Sequence, residues 1–121
     1  MTANYFLDTS FLIDLIDERE DALALHEEIA GEEATGTVCV YELSKFAAFD
    51  PDDLLDDKAV VQFSSGDAAA GGAVYRELER ADQPIGETDT IIAGTVRNRN
   101  LTLVTRDEDF RRVEGVETRY Y

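Results

Sequence analysis

The chain has 121 residues, 44% hydrophobic and 31% charged, enough for one domain with a modest core and too short and too apolar for two domains or a disordered chain. Its 27 acids give a formal charge of −16 and are scattered along the whole length, which excludes an acidic tail and, at face value, argues against nucleic-acid binding. No apolar run approaches the roughly 20 residues of a membrane span.

Lysine is nearly absent, and so many scattered acids fit a halophilic surface. Self-repulsion of this size destabilises a fold in dilute buffer and is screened in molar salt, where the Debye length is about 3 Å. In such salt the objection to a nucleic-acid substrate weakens. A surface for a basic partner is the competing explanation. The N-terminus, MTANYFLDTS, has no basic region followed by an apolar stretch, so a cytoplasmic protein is expected. The lone Cys39 excludes an internal disulfide and reads as a small buried hydrophobe. With His26 as the one histidine, expected to be solvent-exposed, zinc chemistry has few ligands to draw on.

In chain order, residues 3–7 predict a short apolar strand ending at Asp8. Thr9 and Ser10 are placed to cap a helix over Phe11 to Leu15. A second, amphipathic helix is predicted over 19–30, with Leu23, Leu25, Ile29 and Ala30 inward. Gly31 and Gly36 bracket a turn, and Thr37 to Val40 reads as strand two. Tyr41 to Phe49 follows as a helix with Leu43, Phe46 and Ala47 inward, and Tyr41 is read as core rather than base-stacking surface. Residues 50–57 (DPDDLLDD) form a loop or single turn started by Pro51. Val60, Val61 and Phe63 predict strand three, and Ala68 to Ala81 a helix that Gly71 and Gly72 weaken.

Asp89 then opens a helix whose apolar face holds Ile92, Ala93 and Val96, and which Asn98 and Asn100 close. Leu101 to Thr105 (LTLVT) suits a strand buried on both faces. Asp107 and Asp109 follow its carboxyl end, before a short helix near 110–113 and a last strand over 116–119. Strands alternating with helices predict a single α/β domain over 1–121, a three-layer α/β/α sandwich around a mostly parallel sheet of four or five strands.

In such a sheet the strand carboxyl ends share one edge. Asp8, Glu42, Asp89 and Asp107 all fall at or near that edge, so their side chains can converge. Several carboxylates in one crevice call for something positive between them. Mg2+ or Mn2+ is the expected partner, because hard cations take oxygen ligands and keep several waters. Taken singly, each acid could instead be a helix cap, a first-turn residue favoured by the helix dipole, or a solvated turn.

The segments LDTSFLID, VYEL, ETDTIIAGTV and LVTRDEDF, in that order, resemble the four signature blocks of the PIN domain family, and most closely its VapC-type toxins of prokaryotic toxin–antitoxin systems. The resemblance spans nearly the whole chain. It implies a ribonuclease that uses Mg2+, with Mn2+ as substitute. It also implies a homodimer neutralised by a small VapB-like antitoxin. Carried over position by position, Asp8, Glu42, Asp89 and Asp107 match the four acids, Ser10 or Thr9 the hydroxyl after the first, and Thr105 the threonine that opens the last block.

On that resemblance Asp8 and Asp89 are the expected direct metal ligands, with Asp107 and Glu42 holding the ion's waters or a second ion. Ser10 or Thr105 would orient a carboxylate or a water. Arg106, Arg97 and Lys45 are candidate phosphate contacts, and Arg111 and Arg112 are read as surface residues. The middle of the chain is short for the family, which implies trimmed helices beside the RNA groove. A catalytically silent PIN-like binding module is the rival, and retention of all four acids argues against it. A receiver-type signalling domain would need paired acids after strand one and a lysine after a late strand, where this chain has a single Asp8 and the sequence TRD.

Overall fold

The computed structural model describes residues 3–46 and 48–121. Five short strands, β1 (Tyr5–Leu7), β2 (Glu33–Gly36), β3 (Ala59–Val61), β4 (Thr102–Val104) and β5 (Thr118–Arg119), form one sheet in the order β3-β2-β1-β4-β5. Every pairing is parallel. The central strand β1 carries Phe6 and Leu7, both fully buried, which is what a strand covered on both faces requires.

The connections explain the layering. The chain steps from β1 through α1 (Thr9–Ile16) and α2 (Glu20–Ile29) to β2, then through α3 (Thr37–Phe46) and α4 (Pro51–Leu55) to β3. It then returns across the sheet through α5 (Ser65–Arg80) and α6 (Glu87–Arg99) to β4. Right-handed crossovers running in opposite directions put these two helix groups on opposite faces. Phe6, Leu7, Phe11, Leu12, Ile92, Leu103 and Phe110 fill the core between them.

Helix α6 is buried along Ile92 to Val96, because it lies between the sheet and α5. The two helices touch backbone to backbone: a Cβ on Gly94 would stand 2.3 Å from the Gly71 amide nitrogen. Gly71 therefore serves a close crossing and does not merely weaken its helix. Ser64 and Asp67 form a capping box at the start of α5, so that helix begins at Ser65, earlier than predicted.

Several expectations are corrected. Thr37 to Val40 is the first turn of α3, and β2 lies four residues earlier, at Glu33–Gly36. The β-branched run misleads because the helix starts directly off the strand, with no loop between them. Phe46, expected inward, is 71% exposed, and Tyr41, expected in the core, is 65% exposed. Both follow from the register of the earlier helix, whose buried residues are Cys39 and Leu43. Ala47 lies outside the described residues. Leu23 and Ala30 are exposed, while Ala22, Leu25 and Ile29 form the inner face of α2. Phe63 falls just beyond β3 and is exposed. Asn100 ends α6 in the left-handed conformation with φ 58°, as expected, but Asn98 is inside the helix and donates to Asp67. Cys39 is fully buried, on α3 rather than a strand.

Candidate active site

The order β3-β2-β1-β4-β5 reverses direction between β1 and β4, and open parallel sheets bind ligands where that happens. Asp8 follows β1 and Thr105 follows β4, and they face each other across this switch point. The Asp8 amide extends the ladder to Val104 O at 3.0 Å. Its side chain, not Thr9 or Ser10, caps α1 by accepting from the Thr9 amide at 2.9 Å. The two hydroxyls sit inside the helix and turn to the site.

Thr105 is the hinge pin of this edge. Its Oγ1 donates to Asp8 Oδ2 at 2.7 Å and accepts from the Asp107 amide at 3.0 Å. Ser10 Oγ donates to the same Asp8 oxygen at 3.1 Å. Thr9 Oγ1 donates to Glu42 Oε1 at 2.8 Å, which fixes the one acid that comes from α3. Asp107 in turn caps the short 3-10 turn at Glu108–Arg112 by accepting from the Asp109 amide at 2.9 Å. Asp89 lies in the first turn of α6, two residues inside a helix that starts at Glu87 behind Gly86, rather than opening it.

Electrostatics mark this edge as unbalanced. Burial raises the Asp8 carboxyl above the ordinary range; its hydrogen bonds to Thr105, Thr9 and Ser10 draw it down, and the charge of Glu42 raises it. Asp89 is pushed up to about 7, first by burial and then by Asp8, Asp107, Glu42 and Asp109. Asp109 thus joins the four predicted acids as a fifth charge at the edge. Its place four residues after Thr105, in a turn capped by Asp107, is the signal that was available in the sequence.

The donors here are carboxylate and hydroxyl oxygens, the set a hard divalent cation takes. The Cys39 thiol, pushed up to about 12 mainly by burial, stays protonated at neutral pH and offers no thiolate ligand. A bound cation would answer the charge excess that raises Asp89, so the donor chemistry fits the group, although no three of these acids bring ligand atoms within 4.8 Å of one another here.

The predicted phosphate contacts divide. Lys45 lies on the exposed side of α3, one helical turn from Glu42, with its ammonium 5.3 Å from the Tyr41 ring centroid. Arg106 leaves the loop between Thr105 and Asp107, and its Nε meets Asp14 Oδ2 at 2.9 Å. Arg97 is not at the acidic edge. It sits near the far end of α6, pairs with Glu77 and donates to Glu114 O, so it is a clamp between helices. Helix periodicity placed it on α6 correctly; only the tertiary partners show which end of the molecule it serves.

Among the described residues, one trio of potential metal ligands, His26, Glu33 and Asp57, has its ligand atoms within 4.8 Å of one another. It lies where β2 and β3 begin, the opposite edge of the sheet. His26 is therefore not a free surface residue: its Nδ1 is 2.9 Å from Glu33 Oε2. The Lys58 ammonium stands 2.7 Å from Asp57 and 3.9 Å from Glu33, so a cation already occupies the middle of the group. It is an ion-pair network joining α2, β2 and the start of β3.

The sequence profile of the PIN domain matches residues 5–116. The chain belongs to the PIN domain family. It is similar to a tRNA(fMet)-specific endonuclease VapC of Shigella flexneri, 37% identical over 60 residues, which are 49% of this chain and 46% of that protein. The match thus spans about half the length of that relative. The fold resembles the structure of VapBC2 from Rickettsia felis bound to a DNA fragment from their promoter, with TM-score 0.83, 23% identity and coverage of 100% of this chain and 99% of that one. It also resembles DNA-bound VapBC from Salmonella typhimurium, with TM-score 0.84, 20% identity and 98% coverage of each chain. FitAcB from Neisseria gonorrhoeae follows at TM-score 0.79 and 19% identity, covering 94% of this chain and 95% of that one. Among the described residues no helix is long and apolar enough to cross a membrane.

Proposed function

We propose that this PIN domain, taken as a single unit over 1–121, is a metal-dependent endoribonuclease of the VapC type, acting in the cytoplasm on RNA phosphodiester bonds. The observation that carries the proposal is the acidic edge: Thr105 links Asp8 to the Asp107 amide and Thr9 holds Glu42, while Asp89 feels the charge of all three. The similarity to a VapC endonuclease supports RNA as substrate.

In this proposal Asp8, Asp89 and Asp107 hold Mg2+, with Mn2+ as substitute, and Glu42 completes the acidic ring. The ion supplies charge neutralisation at the scissile phosphate and a water acidic enough to attack it near neutral pH. The chain's own work is orientation. Thr105 and Ser10 fix one oxygen of Asp8, while Thr9 fixes one oxygen of Glu42. Glu42, held by Thr9 and not assigned to the ion, is the group placed to accept a proton as water is deprotonated. Lys45 and Arg106 are the cations available to receive flanking phosphates.

The VapBC neighbours support an antitoxin as partner, and the family resemblance alone suggests a homodimer as the working form. Cleavage of total RNA and of structured tRNA, in high KCl with Mg2+, Mn2+ or EDTA, tests the proposal. Metal-dependent cutting that Asp8→Asn and Asp89→Asn both abolish, with circular dichroism unchanged, is the expected result. No cutting in any condition, together with no metal-dependent rise in Tm, overturns it and leaves a silent binding module.

A further inference from the structure

Asp14 is 2% exposed, and nothing in the acid site uses it. It lies on α1 three residues after Phe11, so the helix turns it to the buried side. Three groups surround its Oδ2: the Tyr121 hydroxyl donates to it at 2.5 Å, Arg106 Nε is 2.9 Å away and Arg19 Nη1 4.0 Å away. Tyr121 itself packs edge-on against Phe11, with ring centroids 5.0 Å apart. Apart from that ion pair Arg106 makes no side-chain hydrogen bond or ion pair among the described residues, and its side chain is 48% exposed.

We infer that Asp14 is a positioning residue for the acid site, and that it acts by holding Arg106 as a preset contact for an RNA phosphate next to the scissile one. The inference rests on the ribonuclease proposal above. The argument is one of connectivity. Arg106 is flanked by Thr105, which fixes Asp8, and by Asp107, which belongs to the acidic ring. Five carboxylates lie close by, and a free arginine there would fold onto one of them. Asp14 prevents this by giving Nε a buried anion on the side of α1, which leaves the terminal nitrogens open. A guanidinium with those nitrogens free suits a phosphate, because it presents two parallel donors. Tyr121 shares that Asp14 oxygen and makes no hydrogen bond to Arg106 or to Asp8, Glu42, Asp89 or Asp107.

The test is steady-state cleavage of one RNA by wild type, Asp14→Asn, Arg106→Ala, the double variant and Tyr121→Phe, with Tm recorded for each. RNA affinity is measured in parallel by fluorescence anisotropy with EDTA present. Asp14→Asn and Arg106→Ala should each raise KM and Kd about 5- to 10-fold, as loss of one phosphate contact does, with kcat within about threefold. The double variant should be no worse than Arg106→Ala, since the two act as one unit. Tyr121→Phe should lower Tm and leave KM within about twofold. Wild-type KM and Kd for Asp14→Asn, or losses that multiply in the double variant, would overturn the inference. If wild type cuts nothing, the anisotropy series still decides: equal, non-additive losses of affinity uphold the Asp14–Arg106 unit while the nuclease proposal fails, and unchanged affinity sinks both.

Discussion

Buried acids in different parts of the molecule are treated in opposite ways. Away from the acid site each has a cation within reach. Asp67, fully buried at the start of α5, receives Arg99 through Nε and Nη2, Asn98, and its own capping box with Ser64. Despite its burial, the hydrogen bonds to Arg99, Ser64 and Asn98 hold its carboxyl well below the usual range. Glu33 is an intermediate case: burial raises it, while His26 and Lys58 draw it back. At the carboxyl edge Asp89 has no such partner among the described residues, and burial and four acids drive it up to about 7. Arg97, Arg99 and Lys58 pair with acids away from the site, whereas among the described residues no ion pair reaches Asp8, Glu42, Asp89 or Asp107. An acidic cluster left without cations is the arrangement that the proposed metal site requires.

The largest expected effect is on catalysis. Asp89→Asn should lower the cleavage rate about a thousandfold, the several kcal/mol of charge stabilisation that a bound cation supplies. Its metal-free Tm should not fall. A loss of activity accompanied by unfolding would erase the distinction between the two kinds of acid.

On the structural side the signs reverse. Arg99→Ala should cost about 3 kcal/mol of stability by leaving Asp67 a buried and poorly compensated charge. Denaturant titration measures it, and metal-dependent cleavage by the folded fraction should be unchanged. A cost below about 1 kcal/mol would show that Ser64 and Asn98 suffice for Asp67.

Thr105→Val gives a smaller effect. It keeps the shape of the side chain but removes the bond from Thr105 to Asp8 and the acceptor for the Asp107 amide. Metal affinity, followed as the Mg2+ concentration giving half the maximal rate, should weaken about 10- to 100-fold. An unchanged value would mean that Ser10 alone orients Asp8.

The smallest effect is a pH dependence. Asp89 has a folded value of about 7 against an ordinary 3.8, so between those pH values the native state keeps a proton that the unfolded chain has lost. Stability from this group is full below about pH 4 and is lost as pH rises through about 7. In metal-free buffer Asp89→Asn should remove that part of the slope and raise Tm by a few degrees near pH 7.5, about 1–2 kcal/mol after allowing for solvent around a half-buried group. Mg2+ should raise the wild-type Tm at that pH and leave the variant nearly unmoved. Parallel pH profiles for the two proteins would break the electrostatic account.

The sequence alone determined the alternation of strands and helices, and therefore the parallel sheet and the edge to which its ligands come. It also brought Asp8, Asp89 and Asp107 to that edge, because each sits close to an element boundary, where spacing along the chain is read directly. It misplaced β2, since Thr37 to Val40 is β-branched and apolar yet opens α3, and local propensity carries no record of where a helix follows a strand without a loop. Only the tertiary structure decided which charges are paired. Arg97 with Glu77, Arg99 with Asp67 and Arg106 with Asp14 are separated by 20, 32 and 92 positions in the chain. Distances of that kind are set by the crossovers and the crossing of α5 with α6 at Gly71 and Gly94, not by any local pattern.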